Sequence, residues 1–198
     1  MTTEDLLKQA VSLERDKSNL PDPAQIVAAL LKLEKNAKKK QKNLDYTDLI
    51  GCWNLRFITG TKKTRKRVIL GAGKYIPQFI SIRITYEGNE PSEVGDRHNN
   101  NTGRVKNSVK LASVELSLTG PTKLLDRKSI MAFDFTTIKF VAFGLKIYDG
   151  YIRNGEAREA NFYHQTIKEQ AFFNYFYVSE NLIAARGKGG GLALWGRD

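Results

Sequence analysis

From residue 49 onward apolar and polar side chains alternate, and no other feature restricts the fold as strongly. In GCWNLRFIT, Trp53, Leu55 and Phe57 alternate with Asn54 and Arg56. Ile80, Ile82, Ile84 and Tyr86 do the same around Ser81, Arg83 and Thr85, as do Val105, Val109 and Leu111 around Arg104, Lys106 and Lys110. Val114, Leu116 and Leu118 continue the pattern, and Gly120-Pro121 reads as a turn. Beyond it, SIMAFDF, TIKFVAFGLKIYDGYI, AFFNYFYV, LIAAR and GLALW read as further strands. Successive strand side chains point to opposite faces, so each segment buries one face and wets the other. Roughly eight to ten such strands, with no helical pattern of useful length between them, make the chain mainly β and antiparallel. A shared apolar face over that many strands requires a sandwich or a closed barrel. The expectation is a barrel of about eight strands, wide enough for a small apolar ligand. The polar stretch GNEPSEVGDRHNNNTG is expected to be a mobile loop.

The first 45 residues have the helical period instead. Thr2 or Thr3 can cap a segment whose stripe is Leu6, Leu7, Ala10, Val11 and Leu13. After Asn19-Leu20-Pro21, Asp22 sits where an N-cap belongs, with Pro23 at the first helical position and Gln25 completing a capping box. Ile26, Leu30, Leu33 and Ala37, flanked by Val27 and Leu31, form a broad apolar face that runs into KNAKKKQKN, where lysines suit the helix C-terminus. The expected organisation is a helical segment, 1–45, and a barrel domain, 46–198.

The net charge of +11 favours an anionic partner: nucleic acid, lipid headgroups or an acidic protein. Lys62, Lys63, Arg65, Lys66 and Arg67 form its densest run and are the candidate contact. One cysteine, Cys52, allows no internal disulfide, suits a reducing compartment and is expected as a small buried hydrophobe. MTTEDLLKQ has neither a basic start nor an apolar core, so a secretory leader is not expected, and it is too acidic for a transit peptide.

The two ends of the β region carry a resemblance. Leu49-Ile50-Gly51-Cys52-Trp53-Asn54-Leu55-Arg56-Phe57 looks like the opening strand of lipocalin-like barrels and, more narrowly, is similar to the plastid lipid-associated protein (fibrillin) family of plants and cyanobacteria. Tyr177, Glu180, Leu182, Arg186, Gly187, Gly190, Leu192 and Leu194 resemble that family's terminal signature, with departures at Ser179 and Ile183. The resemblance implies a lipocalin-like antiparallel β-barrel preceded by an N-terminal helical segment. It implies closure of one end by Gly51 and Trp53 with Arg186 across the indole. The glycines of ARGKGGG then serve a tight turn before LALW. It further implies non-enzymatic binding of a lipid, prenylquinone or carotenoid, and peripheral or soluble residence at the cytoplasmic side of a thylakoid membrane. With no transit peptide expected, the resemblance points to a cyanobacterial member.

On this reading the ligand lies against Leu55, Phe57, Ile82, Ile84, Phe133, Phe140 and Tyr175, with Tyr175, Tyr177 and Arg186 as the polar contacts. The partners are the hydrophobic small molecule and an anionic membrane surface or photosynthetic membrane protein. The alternative is a filled barrel whose basic surface meets an acidic protein. Nucleic-acid binding ranks lower, because FFNYFYV reads as a barrel wall rather than a stacking platform. ARGKGGG and Gly71-Ala72-Gly73 lack the helix that a phosphate loop needs. His98, His164, Cys52, Asp134 and Asp149 show no catalytic or metal-ligand spacing, so neither an enzyme nor a cofactor is expected.

Overall fold

The computed structural model describes residues 2–12, 19–40, 44–60, 73–89, 101–125 and 129–197. Lys62, Lys63, Arg65, Lys66, Arg67, His98, Leu13, Gly71, Ala72 and most of the GNEPSEVGDRHNNNTG stretch lie outside them. The strands are β1 (Gly51–Ile58), β2 (Lys74–Tyr75), β3 (Ile80–Gly88), β4 (Thr102–Leu111), β5 (Val114–Leu124), β6 (Ile130–Phe133), β7 (Thr137–Ala142), β8 (Leu145–Tyr151), β9 (Ala171–Val178), β10 (Leu182–Gly187) and β11 (Leu192–Arg197). The order β4-β3-β1-β11-β10-β9-β6-β5, with a further β4–β5 pairing, closes eight strands into an antiparallel barrel, as the alternation requires. The β7–β8 hairpin continues from β5, and β2 pairs with β1. The chain divides into two compact units.

The first unit comprises 1–42, 53–77 and 173–198, so the helical segment shares a unit with strands from both ends of the β region. Helix α1 (Thr3–Val11) starts with the expected cap: Thr2 and Asp5 exchange side-chain and backbone hydrogen bonds. Helix α2 (Pro23–Lys40) has Asp22 Oδ1 accepting from the Ala24 amide at 2.8 Å. Leu7, Ala10, Ile26 and Leu30 are buried with Phe57, Leu182, Ala184 and Leu194. Tyr75 adds its ring to Phe57 at 5.1 Å, edge to face, and donates its hydroxyl to the Pro21 carbonyl.

The second unit comprises 43–52 and 78–172. Gly120-Pro121 is not a turn: β5 runs through it, paired with β4 from Val114 to Lys123. Its other edge changes partner there, from β7 at Val114–Thr119 to β6 at Thr122–Leu124. A Cβ on Gly120 would stand 2.0 Å from the Asp134 carbonyl oxygen, so the glycine admits a backbone rather than a reversal of the chain. TIKFVAFGLKIYDGYI is a hairpin whose loop residues Phe143 and Gly144 both have positive φ, 52° and 79°. A short helix, α3 (Gly155–Asn161), follows where no helix was expected. Arg158 binds Asp134, and Glu159 accepts from Arg104 at 2.6 Å and from Thr136.

Candidate functional site

In the first unit two β-bulges decide which side chains share a face. Leu55 pairs with Trp195 but Phe57 with Leu194, so Arg56 is an extra residue in β1. Ala184 pairs with Tyr177 and Ala185 with Tyr175, which makes Phe176 the extra residue of β9. Each bulge inverts the alternation beyond it. Phe57 and Tyr177, expected to line a ligand site with Leu55 and Tyr175, therefore pack against α1 and α2 instead. Leu55 and Tyr175 remain on the opposite face. There Tyr175 and Phe173 surround Trp195, their ring centroids 6.3 and 5.4 Å from its own, and Ile183 pairs with it.

Arg186 also departs from its expected role. Its Nε and Nη2 donate to the two carboxylate oxygens of Glu34 at 2.7 and 2.6 Å, and Nη1 donates to the Gly190 carbonyl at 2.6 Å. This fork ties α2 to the β10–β11 turn, where Gly190 has φ +85°. The hydrogen bonds from Arg186 hold the Glu34 carboxyl below the usual carboxylate range, against the opposing effect of burial. The guanidinium over the Trp53 indole belongs to Arg197, with its Cζ 4.2 Å from the ring centroid. Trp53 pairs with Arg197 across β1 and β11, so the two side chains share a face, whereas Arg186 lies on the helix-covered face. Gly51, the third residue nominated for closure, has φ 123°, which explains the glycine.

In the second unit Ile82, Ile84, Phe133 and Phe140 do come to one face. Ile82 pairs with Val109, Val109 with Leu116 and Leu116 with Phe140. Ile84, Asn107 and Leu118 form the next row, Tyr86, Val105 and Gly120 the next, and Phe133 opposes Thr122 beyond them. The face is buried at one end, where Tyr86 is 1% and Val105 0% exposed, and open at the other, where Val109 is 39% and Leu111 49% exposed. Tyr46, on a 3-10 turn at Tyr46–Leu49, closes the buried end: its ring meets Tyr86 edge-on and its hydroxyl donates to the Glu87 carbonyl at 3.0 Å. Burial pushes its phenol pKa well up, so the group stays a neutral donor.

The open end is bordered by hairpin tips. Phe143 donates its amide to the Ser113 carbonyl at 2.9 Å, which places the β7–β8 tip beside the β4–β5 tip. Phe143 is 81% and Leu145 68% exposed; Lys146 follows Leu145 in the chain, Lys110 precedes the β4–β5 tip, and both lysines are exposed. A bulky residue at positive φ and in water violates two preferences at once.

The remaining candidates are dispersed. Asp134 is held by Arg158, Asp149 lies 3.5 Å from Lys146, and His164 is exposed on a 3-10 turn. Cys52, expected buried, is half-buried. A groove of about 310 Å³ lies between Asp45, Tyr46, Ile50, Asn89 and Thr102 among others; its lining mixes polar and apolar groups, and none of the residues expected to meet a ligand lines it. No described helix is long and apolar enough to cross a membrane. Fold and faces thus define a mainly β barrel protein with a graded apolar sheet face. Compared with known proteins, the chain matches no family model and no curated protein.

Sequence reasoning passed over four residues that organise these surfaces: Trp195, Arg197, Asn107 and Glu34. Glu34 was the most detectable, since it falls eight residues after Ile26 and four after Leu30 on the apolar stripe of α2. A carboxylate in that position needs a cation.

Proposed function

We propose that the protein binds a hydrophobic small molecule without transforming it, and exchanges that molecule with a lipid surface. The observation that carries this reading is the apolar face that runs from Tyr86 and Val105, buried, to Leu111, exposed beside the Phe143 and Leu145 tips. A monomeric soluble protein has little reason to leave such a face ungated, because burying it would be favourable by about 25 cal/mol per Å². An apolar ligand supplies that burial. Exposed apolar tips with lysines beside them suit the boundary between anionic headgroups and acyl chains. The resemblance to the fibrillin family narrows the ligand to a lipid, prenylquinone or carotenoid and the surface to the cytoplasmic side of a photosynthetic membrane.

The test is native mass spectrometry of the purified chain after exposure to a total lipid extract. A one-to-one adduct with an apolar molecule, releasable by organic solvent, is the expected result. Failure of every apolar molecule to bind, with the fold intact, removes the carrier reading and leaves the filled-barrel alternative.

A further inference from the structure

The apolar face of the second unit is interrupted by one amide. Asn107 lies in β4, directly opposite Ile84 on β3 and Leu118 on β5, with Val105 and Val109 two residues away on the same side of its own strand. Each of these neighbours is an aliphatic side chain that offers no hydrogen bond. The Asn107 Oδ1 atom is buried and has no hydrogen-bond partner among the described residues. An amide oxygen in such surroundings is costly, because it has left water without regaining a donor. A valine, leucine or isoleucine there would continue the row formed by Ile84 and Leu118. The position also lies midway along the burial gradient, between the closed end at Tyr86 and the open end at Leu111.

We infer that Asn107 is the polar anchor of the ligand site, and that it selects an apolar molecule carrying a hydroxyl over one that offers no hydrogen-bond donor. This deepens the carrier reading and rests on it. The ligand's hydroxyl donates to Oδ1 while its hydrocarbon portion lies against Ile82, Ile84, Val109 and Leu118. Recognition of this kind uses a single polar group to fix depth and orientation, and leaves the apolar area to supply affinity. It also discriminates: an ether of the same skeleton would bury the Asn107 oxygen opposite another acceptor.

The experiment compares retinol, a polyene alcohol, with its methyl ether, using ligand fluorescence on the full chain. The wild type is expected to bind the alcohol roughly five- to tenfold more tightly than the ether, the span of one ordinary hydrogen bond. Asn107→Leu is expected to bind both with the affinity that the wild type has for the ether, and to unfold at a higher temperature. Equal affinity of the wild type for the two probes, both bound, would mean that water satisfies the amide; it overturns the Asn107 assignment and leaves the carrier reading standing. A preference for the alcohol that survives Asn107→Leu also overturns the assignment. Absence of binding by both probes, up to their solubility limits and with the fold intact, would count against the carrier reading itself. The wild-type comparison decides the question even if the variant does not fold.

Discussion

At the scale of single residues, the Arg186–Glu34 pair shows how one buried charge places another. The Glu34 side chain is 11% exposed and Arg186 28%, so removing either partner strands the other away from full hydration. Arg186→Met is expected to cost about 2 to 3 kcal/mol by urea unfolding, less than a fully buried broken pair costs, because Arg186 keeps some contact with water. The pair has a pH signature. The folded-state carboxyl titrates below its unfolded value, so its contribution is complete above about pH 4.5 and is lost as pH falls through the folded-state pKa. Urea midpoints of the wild type should fall in that acid range, and those of Arg186→Met should fall less. Arg197 is more exposed, and its position over Trp53 is worth about 0.5 to 1 kcal/mol; Arg197→Ala should lower stability by no more than that.

At the scale of elements, glycines and bulges control which surfaces meet. A Cβ on Gly196 would stand 2.9 Å from the Cβ of Val11, so Gly196→Ala must push α1 off β11, at about 1 to 3 kcal/mol in thermal unfolding. The β7–β8 tip makes the opposite prediction. Phe143 and Gly144 both adopt the positive φ of a two-residue hairpin loop, for which Asn-Gly is the favoured pair. Phe143→Asn should therefore stabilise the hairpin by up to about 1 kcal/mol while weakening sedimentation with phosphatidylglycerol-rich vesicles. A variant that is more stable and binds vesicles as well as the wild type would remove the tip from the proposed membrane contact.

For the molecule as a whole, the net charge of +11 and the apolar tips make distinct demands on a partner. Charge alone gives binding that disappears with salt; inserted side chains give a remainder that salt does not remove. Vesicle binding is accordingly expected to be stronger for phosphatidylglycerol than for phosphatidylcholine, to weaken with added salt, and to retain a residue that Leu145→Asp abolishes. The 3-10 turn at Phe162–His164 uses charge differently. Lys123 donates to the Phe162, Tyr163 and Gln165 carbonyls at 3.3, 3.2 and 3.0 Å, a cation held inside the fold rather than offered to a partner.

The amino-acid order by itself settled the strand period, the helix caps at Thr2 and Asp22, and hence a mainly β chain with helices at its start, because these depend on neighbours a few residues apart. It also brought Ile82, Ile84, Phe133 and Phe140 to one face, since no bulge interrupts β3, β4 or β5. The tertiary structure decided the rest. One extra residue at Arg56 and one at Phe176 turned Phe57 and Tyr177 toward the helices, and only strand pairing reveals a bulge. Likewise both Arg186 and Arg197 were available to Trp53, but the choice depended on which face of the sheet α2 covered and on where Glu34 then lay. The Arg56 bulge and the choice between the arginines belong to contacts between residues more than a hundred positions apart, where local periodicity carries no information.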